Sequence, residues 1–209
     1  MGQVFWQAEQ YLNQLDVGQW VEIGCGRAGD DGSTQVISKW ANQYGRQLTT
    51  VDVDPRNCEL VTSLALPNIQ IVNSTGEAYL ESFPIDTDLI GFLYLDNFDW
   101  DWHPEKAADF ILEQQGRYRE LGMEMNNVNS QRAHLAQMEL AIKAMAPCSL
   151  VVCDDTWFNP WWGHYSGKSG AVVPYLLNRG YEVLYTEEQP VYGTILGRGI
   201  TSNIEIILD

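Results

Sequence analysis

Two groups of residues in this chain are of types and spacings that do chemistry. The first is Val21-Glu22-Ile23-Gly24-Cys25-Gly26, followed further on by Thr50-Val51-Asp52-Val53-Asp54. Glycines at 24 and 26 let the backbone pass close to a ligand where a Cβ would clash. A carboxylate such as Asp52, at the tip of the next strand, is placed to accept from the hydroxyls of a ribose. Together they describe the holding of a nucleoside-containing cofactor. The second group is acidic. Asp96 closes the apolar run Leu89 to Leu95, and Asp154 and Asp155 close the run Ser149 to Cys153. If the two runs are neighbouring strands, these carboxylates converge. Like charges that close force a proton onto one group or recruit a cation. Oxygen-only ligands favour Mg²⁺ or Ca²⁺ over zinc. The plainer alternative is that one aspartate caps a helix and another is solvated.

Two cofactors compete for the glycine turn. Gly24-x-Gly26-x-x-Gly29 with Asp52 beyond it matches the dinucleotide fingerprint, which would imply NAD. Glu22, however, stands two residues before the first glycine, where dinucleotide folds usually carry an apolar residue. Asp30-Asp31 would also put negative charge beside a pyrophosphate, against what a phosphate-binding helix start requires. S-adenosylmethionine has no phosphate and carries a cationic sulfonium, so acidic surroundings suit it.

At these residues the chain resembles the class I S-adenosylmethionine-dependent methyltransferases, whose first motif is an acidic residue followed by x-G-x-G. Val21 to Arg27 with Gly32-Ser33-Thr34 looks like the small-molecule branch that includes catechol-type and sugar O-methyltransferases and cephalosporin-hydroxylase-like proteins. Against that pattern, extra residues lie around Ala28 to Asp31. The resemblance covers roughly residues 20–190. It implies a Rossmann-like, doubly wound, seven-stranded and mostly parallel α/β sheet. It also implies that Glu22, Gly24, Cys25, Gly26 and Ser33 hold the methionine part, Asp52 the ribose, and Ser74 and Thr75 the adenine side. Those families bind a divalent cation, Mg²⁺ or Ca²⁺, through acidic groups at positions matching Asp96, Asp154 and Asp155. Such a metal would bind a substrate hydroxyl, lower its pKa and orient it toward the methyl group.

The chain departs from the pattern at the base. The catechol-type enzymes carry a lysine and the sugar-type enzymes a histidine three residues after the first metal aspartate, where this chain has Asp99. His103, His164 and Lys168 are the remaining candidates, with His103 closest in sequence to the acidic group and Lys168 beside it as a catalytic choice. A relative that binds the cofactor without transferring a methyl group is the alternative this departure raises. A nucleoside-cofactor enzyme of another kind, NAD-dependent or otherwise, is the second. Two tryptophan-rich segments follow the acidic strands, and Trp100, Trp102, Trp157, Trp161 and Trp162 are expected to contact a ring-shaped substrate. Packing on one another, or a subunit contact in a homodimer, would also account for them.

These residues need elements to position them. Val4, Ala8, Leu12 and Leu15 repeat at helical spacing over residues 3–15. Strands are predicted at 19–23, 47–52, 69–73, 89–95 and 149–153, alternating with helices at 33–44, 55–65, 75–82, 105–121 and 130–145. A helix at 168–179 precedes strands at 181–186, 191–197 and 203–208, the last two forming an antiparallel hairpin at one edge. Alternation of this kind gives a mainly parallel sheet with helices on both faces. The whole chain reads as one domain, residues 1–209, with an N-terminal helix within 1–17. Residues 97–129 form an insertion or lid near the site.

Composition narrows the partners. The 209 residues are 45% hydrophobic and carry a formal net charge of −16. That balance and the scattered basic residues disfavour nucleic-acid phosphates and anionic membranes, leaving a small-molecule substrate. No apolar run approaches a membrane span and no signal-peptide pattern stands at the start. Four cysteines without metal spacing read as reduced, consistent with a cytoplasmic protein.

Overall fold

The computed structural model describes residues 3–25, 32–100, 108–186 and 193–201. Seven strands form one sheet. In chain order they are β1 (Gln19–Ile23), β2 (Leu48–Asp52), β3 (Ile69–Asn73), β4 (Ile90–Leu95), β5 (Met145–Asp154), and then, past a separate hairpin of β6 (Thr156–Asn159) and β7 (His164–Gly167), β8 (Glu182–Thr186) and β9 (Gly193–Arg198). The helices are α1 (Gln3–Glu9), α2 (Ser33–Gln43), α3 (Pro55–Ser63), α4 (Gly76–Glu81), α5 (Ala108–Glu120), α6 (Asn127–Ala141) and α7 (Val172–Leu177). Sheet order is β3-β2-β1-β4-β5-β9-β8, with β9 antiparallel to both of its neighbours and the other contacts parallel.

The period of two along each strand divides the core into two layers. Trp20, Phe92, Tyr94, Leu150 and Val152 face α1 and α2, where Phe5, Leu12, Ile37 and Trp40 cover them. Val21, Ile23, Leu93, Leu95, Val151 and Cys153 face α4, α6 and α7, beneath Leu80, Met138, Val172 and Leu176. A strand buried on both faces must be almost wholly apolar, which is why Ile90–Leu95 carries no charged side chain and Tyr94 is its one residue with a polar side-chain atom.

The chain runs outward from β1 to β3, then returns to the other side of β1 as β4. The carboxyl ends of β1 and β4 therefore flank the point where strand order reverses, the crevice in which open α/β sheets bind ligands. Register carries the acidic residues there. Ile23 stands beside Leu95, and Leu95 beside Cys153, so Asp96 and Asp154 leave adjacent strands at the same level.

Three expectations change. The C-terminal hairpin is made by β8 and β9, with Glu182 opposite Gly197 and Thr186 opposite Thr194; the strand expected at 203–208 lies outside the described residues. The second tryptophan segment, expected as a loop, is the β6–β7 hairpin, pairing Thr156 with Gly167 and Asn159 with His164. Helix α7 starts only at Val172, because residues 168–171 turn sharply to bring Lys168 and Ser169 back under β5. Among the described residues, no helix is long and apolar enough to cross a membrane.

Candidate functional site

A cavity of about 410 Å³ opens at the reversal point, walled by the carboxyl ends of β1, β2, β4 and β5 and covered in part by α5. Gly24 begins the turn after β1 with φ +97°, and a Cβ there would stand 2.6 Å from the Asn97 backbone nitrogen. Any side chain would push the β1 and β4 turns apart, so glycine is required for both to line one cavity. Cys25, Ser33, Asp52, Ser74 and Thr75, all expected at a cofactor, line this same cavity. Gly26 lies outside the described residues.

Asp52 is fixed before any ligand arrives. Its Oδ1 accepts from the Asp54 backbone N–H at 2.7 Å, and its Oδ2 from the Cys25 N–H at 3.0 Å and the Asn57 amide at 3.1 Å. Burial raises its pKa, and these donors oppose the rise. Glu22 plays a different part from the one expected. It is fully buried and absent from the cavity wall, and it accepts from the Ser33 and Thr50 hydroxyls at 2.6 Å each. Burial lifts its pKa to about 7 despite those hydroxyls. Glu22 therefore orients Ser33 and ties β1 to β2 and α2. The reason is the alternation along β1, which points Glu22 to the α2 side of the sheet.

The acidic group assembles as its strand register requires, and it encloses a side chain from the chain itself. The Lys168 ammonium, 4% exposed, lies 2.8 Å from Asp96 Oδ1, 3.0 Å from Asp155 Oδ2 and 3.7 Å from Asp154 Oδ2. Burial opposes its charge, but the three carboxylates prevail and raise its pKa well above the ordinary value. Asp154 is pushed up by burial and by Asp96 and Asp155. Two consequences correct the sequence reading. Lys168 holds its proton too tightly to act as a base. The place foreseen for Mg²⁺ or Ca²⁺ contains an ammonium, and no group of acidic, histidine or cysteine side chains among the described residues is arranged to hold a metal ion.

Two of the four non-glycine residues with positive φ among the described residues lie at this place, the others being Ala65 and Asn68. Phe98, three residues past β4, and Asp155, directly after β5, adopt φ values of +64° and +44°. His134 of α6 braces both turns: its Nε2 meets the Asn97 carbonyl oxygen and its Nδ1 meets Ser169 Oγ at 2.7 Å. Bonding to a carbonyl makes Nε2 the donor, so Nδ1 accepts from Ser169. Burial, with the Lys168 charge adding to it, lowers the His134 pKa to about 4, so the ring is neutral. Sequence reasoning missed this histidine. The signal was Ser130, His134 and Gln137 sharing the buried stripe of α6 with Met138 and Ala141.

Helix α5 supplies Gln114, Arg117 and Tyr118 to the cavity wall. Arg117 donates to Asp54 Oδ2 at 2.8 Å, and Arg56 bridges Asp54 and Glu120 at 2.8 and 3.0 Å. Burial works against the Asp54 carboxylate, but bonds from Arg56 and Arg117 bring its pKa down to about 2. Other expected residues are not brought here. His164 is exposed and stacks on Trp162, and Trp161 and Trp162 stand 91% and 72% exposed at the tip of the β6–β7 hairpin. Trp157 packs over Gly167, and neither it nor Trp100 lines the cavity. The aromatic walls are Phe5, Tyr94, Phe98 and Tyr118 instead. Trp102 and His103 lie outside the described residues.

This architecture is that of the class I methyltransferases. The chain superposes on the Streptococcus mutans protein SMU.1697c, solved in complex with S-adenosylhomocysteine, with a TM-score of 0.54 and 10% identity over 94% of this chain and 98% of the other. It superposes on an rRNA methylase from Streptococcus thermophilus with a TM-score of 0.54 and 10% identity, covering 95% and 98% of the two chains. No family model and no curated protein matches the sequence.

Proposed function

We propose that this protein binds S-adenosylmethionine at the β1–β2 side of the cavity and transfers its methyl group to a hydroxyl of a small molecule held over β4 and β5. The observation that carries this reading is the single cavity that joins the Gly24 turn and Asp52 to the Asp96–Asp154–Asp155 group. Asn97 Oδ1 adds a test of fit: it is buried, without a hydrogen-bond partner among the described residues, on a residue that lines the cavity. An unpaired acceptor in such a position calls for a donor from a ligand.

When bound, S-adenosylmethionine supplies an electrophilic methyl group on a cationic sulfur. Asp52 would accept from the ribose hydroxyls, the turn at Gly24, Cys25 and Gly26 with Ser33 would receive the methionine part, and Ser74 and Thr75 would lie on the adenine side. The acidic wall favours the positive sulfonium over any phosphate-bearing cofactor such as NAD. A carboxylate of the acidic group would take up the proton that an acceptor hydroxyl gives up on methylation. The net charge of −16 and the carboxylate wall suit a small neutral acceptor and repel an RNA backbone.

One observation favours a second reading, a protein that binds the cofactor without turnover: among the described residues no histidine lines the cavity, and Lys168 retains its proton. Calorimetric titration with S-adenosylhomocysteine tests the shared part. Micromolar binding is expected, weakened at least about tenfold by Asp52→Ala, with no heat from NAD. Absence of binding to the wild-type protein overturns the proposal. Methyl transfer to small phenols and sugars, followed by mass spectrometry, then separates an enzyme from a silent binder.

A further inference from the structure

We propose that the Lys168 ammonium stands in for a divalent cation, so that this protein works without metal and acquires a metal site only when Lys168 is shortened. The role in catalysis rests on the methyl-transfer reading above; the exchange of one cation for another does not.

The argument begins with space. Oxygen ligands surround Mg²⁺ at about 2.1 Å and Ca²⁺ at about 2.3–2.6 Å. Here Asp96 Oδ1 and Asp155 Oδ2 approach the Lys168 nitrogen at 2.8 and 3.0 Å, normal ammonium distances, and that nitrogen fills the point the oxygens share. A metal entering would have to expel it.

The backbone that carries Lys168 is fixed on both sides. Its backbone N–H donates to the Asp155 carbonyl at 3.0 Å. On one side Gly167, at φ +93°, sits so close that a Cβ would meet the Asp155 oxygen at 1.8 Å. On the other side the Ser169 N–H donates to Thr156 Oγ1 at 3.0 Å, and its hydroxyl is engaged by His134. The β6–β7 hairpin thus returns the chain to the end of β5 and locks the lysine at the acidic group. A mobile ligand-sensing lysine would need the opposite: an exposed stem and a free backbone.

The charge count agrees. Three carboxylates with one ammonium keep a net negative wall, which suits a sulfonium, while relieving the repulsion that would otherwise drive metal uptake. The ammonium also has capacity left. Beyond the two short contacts its neighbours are distant, 3.5 Å to the Asp96 carbonyl and 3.7 Å to Asp154 Oδ2. Lys168 lines the cavity, so an acceptor oxygen there would need only to displace the long 3.5 Å bond to the Asp96 carbonyl to take the third N–H, the position a metal would take in orienting it.

The test uses the full chain and Mn²⁺ as the probe, with S-adenosylhomocysteine titrated into the same samples. Wild type is expected to take up no Mn²⁺ at millimolar concentration. Lys168→Ala and Lys168→Met should each bind one Mn²⁺ at least tenfold more tightly than wild type, lose that gain when Asp154→Asn is added, and melt higher when Mn²⁺ is present. The melting shift reports even on a variant that is poorly folded without metal. Mn²⁺ binding by wild type that Asp154→Asn abolishes overturns the proposal, as does a failure of both lysine variants to gain either affinity or melting temperature. Loss of S-adenosylhomocysteine binding in wild type would instead strike the cofactor reading and leave the cation result standing.

Discussion

Below the glycine turn, Glu22 has an ordinary pKa of 4.5 when exposed, and burial raises it to about 7 in the folded protein. The folded state therefore binds this proton more tightly than the unfolded chain. The resulting stabilisation is complete below pH 4.5 and is lost as pH rises through 7, amounting to an order of 3 kcal/mol. Melting temperature should fall between pH 5 and pH 8, and Glu22→Gln should flatten that fall while keeping the Ser33 and Thr50 contacts. A wild-type melting curve that rises across this range would contradict the assignment. Gly24, Asp52, Asp96, Asp154 and Asp155 could be found from sequence because each ends an apolar run, and strand register then fixes its place. Lys168 was visible as a residue but not as the partner of those aspartates. Its position depends on a hairpin of polar and aromatic residues whose strand character the local pattern hides. His134 was invisible for a related reason: a buried polar side chain on a helix resembles an exposed one until the facing elements are known.

At the level of elements, α5 acts as a side wall whose attachment is ionic. Arg117 reaches across to Asp54 at the cap of α3 and to Asn57 in its first turn, and Glu120 meets Arg56. Asp54 also caps α3 through the Arg56 N–H, so one carboxylate joins a helix start to a wall of the cavity. Arg117→Ala leaves that nearly buried carboxylate with one partner fewer and should cost about 1–3 kcal/mol. Amide exchange in α5 should rise severalfold, and S-adenosylhomocysteine affinity should fall, while β1 and β4 remain protected. Equal exchange in the variant and wild type would mean that α5 is held by something other than this pair. The sequence marked residues 97–129 as an addition near the site, because that stretch is longer than the usual connection in the families the chain resembles. Which residues would turn inward was not readable: in α5 the inward Gln114, Arg117 and Tyr118 are polar, so no apolar stripe identifies the face.

Across the whole molecule, charge is the dominant surface property. A net −16 over 209 residues means that long-range repulsion opposes compaction. Raising ionic strength from about 0.01 M to about 1 M shortens the screening length from about 30 Å to about 3 Å. The melting temperature should climb by several degrees over that range, the opposite of a protein held by surface ion pairs. A fall would show that the Arg56, Arg117 and Lys168 pairs outweigh the excess charge. The sheet itself was largely legible, since its five parallel strands are apolar runs that alternate with helical segments. The exception was the last edge. Residues 181–186 and 191–197 were recognised as strands, but apolar content does not say which partner each will choose. That choice affects how the protein is made. Strand β9 lies between β5 and β8, so β8 emerges from the ribosome ahead of the strand it must pair with. Until Arg198 is out, β5 offers Leu150 and Val152 along an open edge that another chain could join. The sheet closes against the order of synthesis, and a nascent chain keeps the β5 edge open to wrong partners until β9 has been made.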